Sequence, residues 1–71
     1  MEVYVFRTGA AKEEDVKKVA PHLNSIKGVH RWTIDLEDPE NILRVEAAGI
    51  SAAVIEESLA LENCFCEELP D

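Results

Sequence analysis

Apolar and polar positions along the chain change their period several times. Glu2 to Arg7 is rich in Val, Tyr and Phe and suits a β-strand. On it, Val3 and Val5 fall on one side, Tyr4 and Phe6 on the other. Thr8-Gly9-Ala10-Ala11 breaks the pattern. A three-and-four-residue spacing follows: Val16, Val19, Ala20 and Leu23 line one face of a helix, and Glu13, Glu14 and Asp15 occupy the first turn, where negative charge is favoured. Pro21 has no N–H to give the carbonyl four residues back, so a kink or an early helix end is expected there. Lys27-Gly28 closes the unit. Period two returns from about His30 to Leu36, with Trp32, Ile34 and Leu36 on the apolar side. Glu37 to Asn41 reads as a hairpin connection, and Ile42 to Ala47 as a third strand with Leu43, Val45 and Ala47 facing one way. After the turn Gly49-Ile50-Ser51, a second helix is expected from Ala52 to about Glu62, capped by Ser51 and with Ile55 and Leu59 inward. Asn63 suits a left-handed helix end. Cys64 to Leu69 reads as a last short strand that Pro70 stops.

The order strand, helix, strand, strand, helix, strand is that of an α+β, ferredoxin-like βαββαβ sandwich. Right-handed crossovers put both helices on one face of a four-stranded antiparallel sheet and leave the other face open. One domain over residues 1–71 is expected, because 71 residues leave room for only a thin core. In this topology Thr8 to Lys12, Glu37 to Asn41 and Cys64 meet at one end of the sandwich. His22 and His30 lie towards the other end, away from the thiols.

Charge narrows the partners. Asp plus Glu number 15 against 7 Lys plus Arg, a net charge of -8. All seven basic residues precede residue 45. From there on the chain has seven acids (Glu46, Glu56, Glu57, Glu62, Glu67, Glu68 and Asp71) and no Lys or Arg. Phosphate backbones and anionic membranes are repelled by such a chain, so neither nucleic acid nor membrane is an expected partner, while a basic partner for the C-terminal half is conceivable. No apolar run reaches the roughly 18 residues of a membrane span. The default expectation is a small soluble cytoplasmic domain.

Three stretches resemble the heavy-metal-associated domain, the module of copper chaperones and of the N-terminal tails of heavy-metal-pumping ATPases. Asp15-Val16-Lys17-Lys18-Val19 with Leu23 is similar to that family's first helix. Ile26-Lys27-Gly28-Val29 followed by Trp32-Thr33-Ile34-Asp35-Leu36 is similar to its second strand, and Leu43-Arg44-Val45-Glu46 to its third. The resemblance covers nearly the whole chain and implies the same fold. It also implies soft-metal binding through a Met-x-Cys-x-x-Cys loop after the first strand. Here those three positions fall on Arg7, Gly9 and Lys12. Cu(I) requires soft donors such as thiolates, and an ammonium competes with it, so the family's metal chemistry is not expected at that loop.

The two thiols stand instead as Cys64-Phe65-Cys66. On an extended strand such side chains share a face about 6.5 Å apart, too far for a disulfide but able to converge on one Cu(I) or Zn(II) ion. A relocated metal site at Cys64 and Cys66 is therefore one reading, and packing of two buried cysteines the other. Tyr4, Phe6, Ile42 and Phe65 are expected on the open sheet face, flanked by Arg31 and Arg44, as a surface for a protein partner or a second copy. The acids Glu13, Glu14, Asp15, Glu37, Asp38 and Glu40 gather near the loop end but match no calcium-loop spacing. No phosphate-cradling Gly-rich loop, nucleophile elbow or metal-binding His pair occurs, so no enzymatic activity and no cofactor beyond a soft metal is expected. The expected function is a non-catalytic binding module without the usual metal loop; the alternative is a heavy-metal-binding protein using Cys64 and Cys66.

Overall fold

Alternating apolar strands cover one side of a sheet, and the computed structural model, which describes residues 1–70, closes that side with two helices. The elements are β1 (Glu2–Thr8), α1 (Glu13–Ser25), β2 (Val29–Ile34), β3 (Leu43–Ala47), α2 (Ala52–Ala60) and β4 (Cys66–Glu68). The strands run β2-β3-β1-β4 across the sheet, and every neighbouring pair is antiparallel. This is the ferredoxin-like βαββαβ sandwich. No helix among the described residues is long and apolar enough to cross a membrane. Asp71, counted among the acids of the C-terminal half, lies outside the described residues.

The interior is built by β1 and β3 against both helices. Phe6, Leu43, Val45, Ala47, Val19, Leu23, Ile55 and Leu59 form one buried cluster. The spacing of Val19 with Leu23, and of Ile55 with Leu59, puts each pair on one helix face. Trp32 packs at the margin of this cluster, and its indole N–H donates to Asn24 Oδ1 at 2.8 Å, holding β2 to the end of α1. Gly28 has φ +106, and a Cβ there would stand 2.6 Å from the Ala48 carbonyl oxygen. The chain can turn into β2 at this point because Gly28 has no side chain.

Several element ends differ from the sequence reading. α1 runs through Pro21 and ends four residues later at Ser25. Pro21 is exposed, so the carbonyl of Lys17 that it leaves without a helical donor is on the solvent side. β2 stops at Ile34 and β4 begins only at Cys66. Cys64 still belongs to the turn that ends α2, its N–H donating to the Leu59 carbonyl at 3.1 Å. Asn63 has φ +55, the left-handed conformation expected of it.

The face of β1 is the main correction. Tyr4 and Phe6, expected on the open side, face the helices. Phe6 is 0% exposed, and Tyr4 packs against the buried cluster with its hydroxyl 2.8 Å from the Ile50 carbonyl oxygen. The register explains it. Tyr4 pairs with Val45 and Phe6 with Leu43, and paired residues share a face, so once Leu43 and Val45 turn inward the two aromatics must follow. Val3, Val5 and Arg7 take the open side instead, with Val3 57% exposed. A Phe6→Ala variant is expected to lose about 3–5 kcal/mol, the usual cost of truncating a buried phenyl group. A Val3→Thr variant should stay within about 0.5 kcal/mol of the wild type. Urea unfolding followed by circular dichroism measures both.

Candidate functional site

Two places are open to chemistry: the connection between β1 and α1, and the open face of the sheet. The connection is Gly9-Ala10-Ala11-Lys12, and it is tied down by short local bonds. Thr8 is buried; its N–H donates to the Glu40 carbonyl at 3.1 Å and its hydroxyl to the Asn41 carbonyl at 2.7 Å. The same hydroxyl oxygen accepts the Ala10 N–H at 3.2 Å. Gly9 N–H donates to the Phe65 carbonyl at 2.9 Å, and Ala10 is fully buried. Asp15 reaches back from the first helical turn, and its Oδ2 accepts the N–H groups of Ala11 and Lys12, each at 3.2 Å. Asp15 is thus occupied in capping the helix start, where a carboxylate is favoured. The loop end of the sandwich forms as the topology required: Thr8, Gly9, Glu40, Asn41 and Phe65 meet there.

The acids around it are also engaged locally. Asp35 Oδ1 accepts the Glu37 N–H and Asp38 Oδ1 accepts the Glu40 N–H, closing the turns between β2 and β3. Among the described residues, no three His, Cys, Asp or Glu side chains gather where they could hold one ion.

Cys64 and Cys66 are free, half-buried and packed against the core cluster. Cys64 borders a cavity of about 230 Å³ shared with Gly9, Asp15, Lys18, Glu62 and Phe65. Its thiol donates weakly to the Phe65 carbonyl at 3.6 Å. Burial pushes the Cys64 pKa up, the Gly9 N–H pulls it partly back, and Asp15 adds to the rise. Cys66 lies opposite Thr8 in the sheet. Burial, then the nearby Glu56 carboxylate, then Cys64 push its pKa up to about 12. Both environments favour the protonated thiol, which is a poor ligand and a poor nucleophile. The placement of His22 is corrected: expected at the end away from the thiols, its Nε2 lies 2.8 Å from Glu62 Oε2 and joins α1 to the turn before Cys64.

The open face carries Val3, Val5 and Arg7 of β1, Arg31 and Thr33 of β2, and Arg44 and Glu46 of β3, as the registers require. Phe65, just before β4, lies beside Arg7 of this face, whereas Tyr4 and Phe6 leave it for the interior; Ile42 precedes β3 and is half-buried. Phe65 is 55% exposed, and the Arg7 guanidinium stands 5.4 Å from its ring centre. Arg7 Nε also donates to Glu67 Oε1 at 2.6 Å. In the sequence this side is marked only by Arg7, while the side of Tyr4 and Phe6 carries Glu2 and Thr8, so the pattern alone does not choose between them. Between β3 and β2 lies a shallow cavity of about 320 Å³ bordered by Val3, Arg31, Trp32, Thr33, Arg44 and Glu46.

The sequence matches no protein-family model and no curated protein. Solved structures do resemble it. The yeast copper transporter domain Ccc2a, solved in apo and Cu(I)-loaded states, superposes with TM-score 0.85 at 22% identity, covering 100% of this chain and 99% of its own. That yeast domain has also been solved in a complex with Atx1 and Cu(I). The N-terminal domain of PacS from Synechocystis PCC6803 superposes with TM-score 0.84 at 7% identity, covering 99% of this chain and 100% of its own. The N-terminal domain of ZntA in its Zn(II) form gives TM-score 0.78 at 18% identity, over 93% of this chain and 89% of its own. The likeness establishes the fold, which is that of the heavy-metal-associated domains.

The raised thiols have a measurable consequence. An unfolded thiol loses its proton near pH ~8.5, whereas native Cys66 keeps it to about 12. The native state therefore binds more protons than the unfolded chain across that window, and stability falls as pH rises through it. Urea midpoints from pH ~8 to ~10 should decline less steeply in Cys66→Ser than in the wild type. Iodoacetamide should label Cys64 of the native protein before Cys66.

Proposed function

We propose that this chain is a non-catalytic binding module with the heavy-metal-associated fold, working through its surface rather than through a metal loop. The observation that carries this reading is the β1–α1 connection. At the positions where the family places its thiols stand Gly9 and Lys12, and Ala10 fills the loop from within. A soft ion finds no soft donor among these residues. The thiols that exist lie beside this connection, Cys64 next to Gly9 and Cys66 opposite Thr8, in surroundings that raise their pKa values. A cytoplasmic protein partner fits this reading, and the complex of yeast Ccc2a with Atx1 and Cu(I) supports it by showing this fold engaged with a partner protein. The candidate surface is the open sheet face around Val3, Arg31, Arg44 and Phe65.

One observation favours a second reading, in which Cys64 and Cys66 hold a soft metal: Cys64 borders the cavity beside Gly9. It requires both thiols to give up their protons to the ion and two further ligands for a tetrahedral zinc site. Anaerobic equilibrium dialysis against Cu(I) or Zn(II) separates the two readings. The binding-module reading expects the wild type and the Cys64→Ser/Cys66→Ser variant to retain equally little metal. About one ion per chain in the wild type, lost in the variant, overturns it.

A further inference from the structure

We infer that the open sheet face receives an extended acidic segment of a partner protein, with its carboxylates seated on Arg31 and Arg44. This inference rests on the binding-module reading and adds the partner's chemistry. The chain has three arginines and four lysines, and the fold separates them. Arg7, Arg31 and Arg44 all lie on the open face, by the pairing of β1, β2 and β3. Lys12, Lys17, Lys18 and Lys27 all lie in α1 or at its ends. A lysine ammonium is compact and strongly hydrated and suits a solvated helix. A guanidinium offers a planar fork that fits a carboxylate, and arginine is enriched in interfaces where lysine is depleted.

Arg7 is already held by Glu67 and by the Phe65 ring. Arg31 and Arg44 make no ion pair among the described residues, and both border the shallow cavity on this face. Arg31 pairs with Glu46 and Arg44 with Thr33, so the two arginines stand at diagonal positions on adjacent strands. Such positions are about 7–8 Å apart. Carboxylates two residues apart on an extended chain are separated by about 6.6 Å, a close match.

The charge pattern selects a short acidic segment over other occupants. Glu46 in the cavity and Glu67 beyond it interrupt the positive track that a phosphate backbone follows. A second copy would bring another net charge of -8 against this one. A segment with two carboxylates meets the same long-range field with far less charge.

The test is a titration of isotope-labelled protein with a blocked peptide, Val-Glu-Val-Glu-Val-Thr, followed by amide proton–nitrogen spectra, with Val-Gln-Val-Gln-Val-Thr as the neutral control. Saturable shifts are expected at the amides of β2, β3 and Val3, with the neutral peptide binding at least about tenfold more weakly. Arg31→Gln and Arg44→Gln should each weaken the acidic peptide about tenfold. Arg31→Lys and Arg44→Lys keep the charge while losing the fork, so weakening in these variants too, with an unchanged spectrum of the free protein, supports the assignment. Equal binding of the neutral peptide, shifts confined to the helix layer, or no saturation at millimolar peptide overturns it. Tighter saturation of the same amides by an oligouridylate overturns it in favour of nucleic acid. A concentration-dependent dimer that Arg44→Gln abolishes overturns it in favour of a second copy. Metal retention belongs to the dialysis experiment above. A protein that holds no metal and ignores the peptide loses the acidic partner alone; thiol-dependent metal retention defeats the binding-module reading itself.

Discussion

Phe6 and Leu43 face each other across the two central strands, and their burial sets the orientation of the sheet. A phenyl group buries a large apolar area, and a thin core of this size has few such residues to use. With Phe6 inward, alternation sends Val3, Val5 and Arg7 outward. The arginine then meets Glu67 on β4 and Phe65 just before it, and the valines meet Arg44 and Glu46 on β3. A slip of one residue would bury Arg7 and expose Phe6, so the register is strongly specified.

The same strand delivers the chain into the β1–α1 connection, Gly9-Ala10-Ala11-Lys12, which carries no thiol. The Thr8 hydroxyl, the Gly9 N–H and the Asp15 carboxylate close this segment on itself. Each polar group there is matched to a neighbouring backbone group, which gives the connection a structural role of its own. The thiols illustrate how position governs chemistry. The two cysteines stand in different settings, Cys64 in the turn after α2 and Cys66 at the start of β4, both packed against the core, and burial raises the pKa of each.

The acidity of the chain also acquires a direction in the fold. Glu46 and Glu67 are the acids that the strand registers place among the arginines of the open face. Glu13, Glu14, Glu56 and Glu57 belong to the helices, and Asp35 and Asp38 to the turns. A net charge of -8 therefore coexists with a locally arginine-rich sheet surface. The net charge sets the repulsion of other acidic molecules at long range, while within a Debye length of about 8 Å the local arginines set the field over that surface.

Much of the architecture was legible in the residues themselves. The periods of Val16–Leu23, Trp32–Leu36 and Leu43–Ala47 determined the element order, and that order left few topologies, because antiparallel pairing and right-handed crossovers prune the rest. That Gly9 and Lys12 carry no thiol is plain from the residues, since ligand chemistry depends on residue type. The inward side of β1 was decided only by tertiary structure. Val3 and Val5 against Tyr4 and Phe6 is an alternation of apolar with apolar, and both sides carry a polar residue, Glu2 and Thr8 on one and Arg7 on the other, so the strand has no distinct polar side. The setting of the thiols was decided in the same way. Burial, the Glu56 carboxylate and the turn at Asn63–Cys64 come from segments distant in sequence or from a helix end whose position depends on packing, and no local pattern encodes them.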